Sequence, residues 1–400
     1  MTTHGFAAVL NPMASPAPAV PPPHPSEPAA RSPEARDFHR RLPGYQPTPL
    51  FSAPRLAERL GIGELLLKCE CERFGLPAFK MLGASWAVYR ALCKRLGGGA
   101  GEWRNLKELV ALLEPLPPLS LAAATDGNHG RAVARMAGLL GLGARIFVPT
   151  GTSQGRIEAI EGEGADVVVV DGGYDDAVVR SAAEAGERCL VISDTSWPGY
   201  TQVPRWVIEG YATLFWEIDD ALTRAGRPRP DVVVVPVGVG ALAAAAVAYV
   251  AAPPPREMRS DAGSTTIIGV EPTDAACVTE SVLAGHPVTL PGAQHSVMAG
   301  LNCGTPSSVA WPVVSHGVAA LVTIADEWAV DAVRQLAALG VAAGETGAAA
   351  LAGLTALRCA DAPAAVAGLV APDASVLALV TEGPSDPELW RRILGVELVG

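Results

Sequence analysis

Lysine is nearly missing from this chain of 400 residues: Lys68, Lys80, Lys94 and Lys107 are the only four among thirty basic residues. A composition that has replaced almost every surface amine by guanidinium excludes lysine as a general solubiliser. Condensation with a carbonyl is one task that arginine cannot take over. Taken alone, each lysine is more often a solvated residue on a helix face, and only the segments downstream of Lys80 reverse that reading.

Excess positive charge is also lacking. The formal net charge of -11 disfavours nucleic acid and anionic membrane as partners and leaves small-molecule chemistry as the default. The longest apolar stretch, residues 241–252, is too short to span a bilayer, and no cationic segment precedes a long apolar run at the start. A cytoplasmic location is therefore expected. The seven cysteines are scattered at 69, 71, 93, 189, 277, 303 and 359, with neither a disulfide ladder nor a CxxC zinc spacing. They are expected to be buried small hydrophobes, and no metal site is expected. What is present, 49% hydrophobic and 18% charged residues, is globular, and the length suggests two or three units.

Three segments carry chemistry. Lys80 lies in Phe79-Lys80-Met81-Leu82-Gly83-Ala84. Thr125-Asp126-Gly127-Asn128-His129-Gly130 opens a run whose apolar residues at 132, 133, 136, 139 and 140 recur with helical period. That loop could seat an anion or a cofactor edge, or Asp126 or Asn128 could simply cap the helix. Finally, the apolar run Val232–Pro236 leads into Gly238-Val239-Gly240-Ala241-Leu242 and a stretch of small residues. Strand, glycine turn and helix offer backbone amides to a phosphate. The third glycine of a dinucleotide fingerprint is missing, since Ala243 stands there, so a cofactor monophosphate fits better than NAD.

An amine, an Asx-Gly loop and a phosphate cup are the parts that pyridoxal phosphate needs. Here the chain resembles the tryptophan synthase β family, the fold type II pyridoxal-phosphate enzymes, and within it the diaminopropionate ammonia-lyases. The resemblance runs from Leu42 to about Asp386 through Pro43–Leu50, Arg73–Lys80, Thr125–Gly130, Tyr174–Val178, Ser193–Trp197, Gly210-Tyr211, Met298–Leu301, Gly344–Ala348 and Thr381–Gly383. Cys69 and Cys71 depart from its usual polar residues.

The resemblance implies an α/β fold with two open parallel-sheet domains and the cofactor in the cleft between them. It places a large cofactor-binding domain at 36–80 and 200–400, a small inserted domain at 81–199, and pyridoxal 5'-phosphate as cofactor. Lys80, after Phe79, would hold the cofactor by a Schiff base. Asn128 would contact the ring hydroxyl, Gly238, Val239, Gly240, Ala241 and Leu242 the phosphate, and Thr381 the ring nitrogen. Asp126 would move a proton, and Asp194, with Trp197 nearby, would recognise a β-ammonium group. Implied is α,β-elimination of 2,3-diaminopropionate to pyruvate and ammonia by a homodimer. The alternatives are a serine/threonine-type dehydratase or β-replacement enzyme, and, from a different class, a non-catalytic amino-acid-binding protein.

Alternation of strand-like and helical runs from Leu65 onward, with a helix expected from Ala84 and later strands at 232–235, 267–270 and 376–380, agrees with an α/β protein. Residues 1–35, dense in proline and alanine, are expected to form a disordered tail. The insertions at 101–119 and 253–265 are expected to be surface connections.

Overall fold

The computed structural model describes residues 5–15, 33–98, 101–125, 127–255, 258 and 265–395. Two sheets organise them. Eleven strands occur among these residues: β1 (Phe6–Leu10), β2 (Leu50–Ser52), β3 (Glu64–Cys69), β4 (Ser120–Ala124), β5 (Gly143–Pro149), β6 (Asp166–Val170), β7 (Cys189–Val191), β8 (Val232–Pro236), β9 (Thr266–Pro272), β10 (Ala320–Ile324) and β11 (Ser375–Val380). The larger sheet has the order β1-β10-β9-β8-β11-β3-β2 and the smaller β6-β5-β4-β7. All pairings in the smaller sheet are parallel, and in the larger only the edge strands β1 and β2 run antiparallel.

Central strands such as β8 (VVVVP) and β11 (SVLALV) are apolar almost throughout because helices cover both faces. Leu65, Leu67, Val232, Val234, Val376 and Ala378 of the larger sheet pack on one side with the helix Glu345–Leu357. Leu66, Val233, Val235 and Leu377 face the other side, where one core continues into the helices Lys80–Arg95 and Gln202–Arg224 and into Leu121, Ala123 and Ile146 of the smaller sheet.

The expected tail is corrected in part. Phe6–Leu10 forms β1, paired with β10 from Phe6↔Ile324 to Leu10↔Ala320. Its register is locked by Asn11, buried, whose Nδ2 donates to Ser315 O at 2.8 Å and Val318 O at 2.7 Å. A helix begins again at Pro33. Residues 16–32, the proline-richest part, lie outside the described residues. The segment 101–119 is not a bare connection either. Leu106–Leu113 is a helix whose N-cap Asn105 accepts from Glu108 N, and it buries Leu109 and Leu113. Most of 253–265 lies outside the described residues. No helix among the described residues is long and apolar enough to cross a membrane.

Candidate active site

Four strands end at one cavity. Parallel α/β sheets leave free backbone groups and helix N-termini at the carboxyl ends of their strands, where ligands collect. Here β4 and β7 of the smaller sheet and β8 and β11 of the larger deliver Thr125, Gly127 and Asn128, Asp194, Gly238–Leu242 and Thr381-Glu382 to a single cavity that Phe79 and Lys80 also line.

Lys80 is the first residue of the helix Lys80–Arg95. Its approach is pinned to the end of β11 by the antiparallel bridge Ala78↔Glu382 and by Gly383 N donating to Pro77 O at 2.7 Å. The helix itself is set by close contact with the helix Gln202–Arg224. A Cβ on Gly210 would come 2.3 Å from Leu82 O, and one on Gly83 2.5 Å from the Tyr211 ring, so the crossing tolerates neither. Tyr211 in turn lies against Phe79, ring centroids 4.7 Å apart.

The Lys80 amine donates to Asp194 Oδ2 at 2.8 Å, with Asp194 buried. Tyr174 OH donates to Asp194 Oδ1 at 3.1 Å, and His129 Nδ1 stands 3.9 Å from Oδ2. Burial alone would raise the Asp194 carboxyl. The charges of Lys80 and His129 and the hydrogen bonds from Lys80 and Tyr174 outweigh it and hold that carboxyl well below the usual carboxylate range. His129 is itself pushed down by burial, and its Nε2 meets Ile192 O at 2.8 Å, which makes that nitrogen the donor of a neutral ring. Asp194 therefore serves as a fixed anion beside the amine.

Asn128 opens the helix Asn128–Leu140, and its Nδ2 donates to Glu382 Oε2, tying the smaller sheet to the larger across the cavity. The N–H groups of Gly238, Val239, Gly240 and Ala241 meet no acceptor among the described residues. Gly240 has φ +95°, a conformation that L side chains rarely adopt, and a Cβ on Gly238 would crowd Cys303 Sγ at 3.1 Å. The result is a row of free donors at the N-terminus of the helix Ala241–Ala251, the arrangement that receives an anion. Thr381, buried, lines the same cavity and donates to Thr346 O at 3.4 Å.

Ten of the described residues singled out from sequence thus meet in one place: Phe79, Lys80, Asn128, Asp194, Gly238, Val239, Gly240, Ala241, Leu242 and Thr381. Asp126 lies outside the described residues, although Thr125 and Gly127 on either side of it line the cavity. Trp197 is not among the residues that line the cavity. It stacks on Tyr200, centroids 4.0 Å apart. Sequence reasoning missed His129, Tyr174, Tyr211 and Glu382, although each lies inside or beside a segment that it quoted. Their side chains act through partners more than 80 residues away or on another strand end, which local pattern does not reveal.

An amine beside a fixed anion, an amide, a hydroxyl and an unpaired donor row fit a phosphorylated aldehyde, and the comparisons with known proteins agree. Residues 41–382 match the family model described as pyridoxal-phosphate dependent enzyme, and the chain belongs to that family. Within it, the chain belongs with the diaminopropionate ammonia-lyases. It is 35% identical over 370 residues to the diaminopropionate ammonia-lyase of Escherichia coli (strain K12), covering 90% of each protein. It is 34% identical to that of Salmonella typhimurium, covering 90% of this chain and 91% of the other. The crystal structure of the Escherichia coli enzyme in complex with D-serine superposes with a TM-score of 0.86 at 31% identity, over 98% of this chain and 97% of that one. The fold is accordingly that of the fold type II enzymes.

Proposed function

We propose that this protein eliminates ammonia from 2,3-diaminopropionate, yielding pyruvate and a second ammonia. The observation that carries the reading is the Lys80 amine held at 2.8 Å from the buried Asp194 in a cavity with an unpaired donor row, in a chain so similar to enzymes of that name. Pyridoxal phosphate, when bound, supplies an electron-withdrawing ring that acidifies the substrate's Cα–H and favours loss of a β-substituent.

The chain's own residues divide the remaining work. Lys80 would hold the cofactor's carbonyl carbon and, once released, move the Cα proton. Phe79 would pack beside the ring, Asn128 would donate to its hydroxyl, and the amides of Gly238 to Leu242 would bind the phosphate. Thr381 would offer a hydroxyl to the ring nitrogen and leave it neutral. Asp194, already an anion, would receive the β-ammonium group. Asp126 would serve as the second base. The two substrate enantiomers present their Cα–H bonds to opposite faces, so one base cannot reach both.

The division into a large domain of 36–80 and 200–400 and an inserted one of 81–199 belongs to this proposal, supported by the smaller sheet arising wholly from residues 120–191. So does a cytoplasmic homodimer, which rests on the family resemblance and which light scattering of the purified protein would weigh. The function itself is tested by screening amino acids for coupled release of ammonia and a 2-oxo acid. Turnover of diaminopropionate above serine and threonine is expected. Preference for a hydroxy amino acid would assign the chain to the dehydratases instead.

A further inference from the structure

Tyr211 carries a hydroxyl that the fold buries and leaves unmet. The residue is fully buried on the helix Gln202–Arg224, and its Oη has no hydrogen-bond partner among the described residues. Taking a phenol out of water without a replacement bond costs stability, and buried tyrosines ordinarily find a partner. Tyr211 nevertheless lines the cavity. Local relaxation cannot supply the missing bond, because the ring is held on two sides. A Cβ on Gly83 would come 2.5 Å from Tyr211 Cε1 and 2.9 Å from Cζ, so the helix Lys80–Arg95 has given up a side chain to admit the ring. Phe79 lies against it as well, centroids 4.7 Å apart. A ring packed in this way cannot swing its hydroxyl elsewhere. An unmet polar group fixed at the wall of a cavity points to a partner that is met during function.

The Lys80 amine lies on the same side. Gly83 stands three residues after Lys80, so the ring packs on the helix face from which Lys80 projects. Lys80 Nζ is also 5.5 Å from the centroid of the Phe79 ring that touches Tyr211. Burial pushes the Tyr211 phenol well above its ordinary value, and the charge of Lys80 opposes that shift only in part. Near neutral pH Tyr211 is therefore an uncharged hydroxyl that can accept from an amine. In the free protein the amine is held instead by Asp194, at 2.8 Å. The function proposed above gives Asp194 to the substrate's β-ammonium group, and the Tyr211 hydroxyl then stays beside the amine. A neutral partner suits that moment. A carboxylate holds an amine protonated, whereas a hydroxyl that accepts one N–H leaves the lone pair free to take a proton.

We propose that Tyr211 is a positioning residue for Lys80: its hydroxyl accepts from the Lys80 amine once the substrate has taken Asp194, and keeps the lone pair of that amine aimed at the substrate's Cα–H. The proposal rests on the reading of the preceding section. Tyr211 neither gains nor loses a proton in this role. It acts on the proton transfer and not on the binding of substrate or cofactor, and the unmet hydroxyl of the free protein is the stability cost of having that contact ready.

The test compares wild type with Tyr211→Phe, which keeps the ring and removes only the hydroxyl. With the holoenzyme, kcat for diaminopropionate should fall about 10-fold, the worth of one hydrogen bond lost in the transition state, with little change in KM. The loss should fall on one enantiomer, the L form, whose Cα proton is left to Lys80 when Asp126 takes that of the D form. For that enantiomer the rate difference between Cα–H and Cα-deuterated substrate should grow in the variant, since proton transfer becomes more rate-limiting. Two readouts do not involve turnover. The affinity of the apoprotein for pyridoxal phosphate should not change, and its melting temperature should equal or exceed that of wild type, because an unmet buried hydroxyl has been removed.

An unchanged kcat would overturn the proposal. So would equal losses on both enantiomers with an unchanged isotope effect, which would make the hydroxyl part of the general packing of the site. A lower melting temperature would show that the hydroxyl already has a structural bond, and weaker binding of pyridoxal phosphate would make Tyr211 a cofactor contact; either result removes it from Lys80. If wild type ignores diaminopropionate but turns over another amino acid, the functional reading fails on its own, and the same comparison of enantiomers and isotope effects with that amino acid decides the place of Tyr211.

Discussion

Lys68 and Lys80 show what scarcity of a residue can and cannot reveal. Both are amines retained in a chain that otherwise uses arginine, and both are held by carboxylates. Lys80 meets Asp194 at the cavity, whereas Lys68, 1% exposed, donates to Glu217 Oε2 at 2.7 Å and Thr48 O at 2.9 Å inside the core. Rarity flagged the two alike, because Glu217 lies 149 residues along the chain and no local pattern connects them. Motif context separated them: of the two, only Lys80 lies within a segment, Arg73–Lys80, that carries the resemblance to the family. At this scale the first expectation is that purified protein is yellow and that Lys80→Ala loses the Schiff-base absorbance while circular dichroism stays native. Unchanged absorbance in that variant would remove Lys80 from its assigned place. A second concerns Asp126. If it is the base for one face, Asp126→Asn should slow turnover of D-diaminopropionate by about 10²–10⁴-fold and affect the L form less. Equal losses for both enantiomers would point to a shared role, and no loss would return Asp126 to helix capping.

At the level of elements, the strands with apolar runs were readable: the segments 232–235, 267–270 and 376–380 stand as β8, β9 and β11 within two residues of where the sequence puts them. The helix expected from Ala84 starts four residues earlier, at Lys80, because the bridge at Ala78 and the stop of β11 fix the turn that precedes it. β1 was not legible. FAAVL is short, it follows no turn signal, and its partner β10 lies more than 300 residues away, so only the finished sheet edge gives it a reason to be extended. Proline content, a property of 16–32, was spread over the whole of 1–35. The strand has a consequence. Deleting residues 1–15 should lower the melting temperature, because it uncovers β10 and removes the Phe6–Trp328 edge-to-face contact. Asn11→Ala alone should cost about 1–3 kcal/mol, since Ser315 O and Val318 O lose a buried donor. Thermal or urea denaturation reads both, and a truncated chain as stable as the full one would show that the edge needs no cover.

For the molecule as a whole, the cavity depends on several distant segments being held together, and a buried ionic cluster does much of that holding. Glu217 on the helix Gln202–Arg224 takes Lys68 of β3, Arg73 Nη1 at 2.7 Å and Tyr45 OH at 3.0 Å, while Arg73 also bonds Glu70. Burial by itself would raise the Glu217 carboxyl, but the Arg73 and Lys68 bonds and charges bring it down from 4.5 to about 2. A depressed carboxyl stabilises the fold fully above its unfolded value and loses that contribution as pH falls from about 4.5 towards 2. Stability should therefore drop through that window in wild type and drop less in Glu217→Gln. At neutral pH the same variant should be less stable by about 3–5 kcal/mol, because Lys68 and Arg73 remain buried with less counter-charge. Identical acid profiles would contradict the assignment. The central claim, elimination of ammonia at a site where the strand ends of two sheets meet, is met most directly by stoichiometry. The holoenzyme is given 2,3-diaminopropionate, and pyruvate and ammonia are measured together as the reaction runs to completion. Two ammonia per pyruvate is predicted. No pyruvate from diaminopropionate, with one ammonia per oxo acid from serine or threonine, would contradict it.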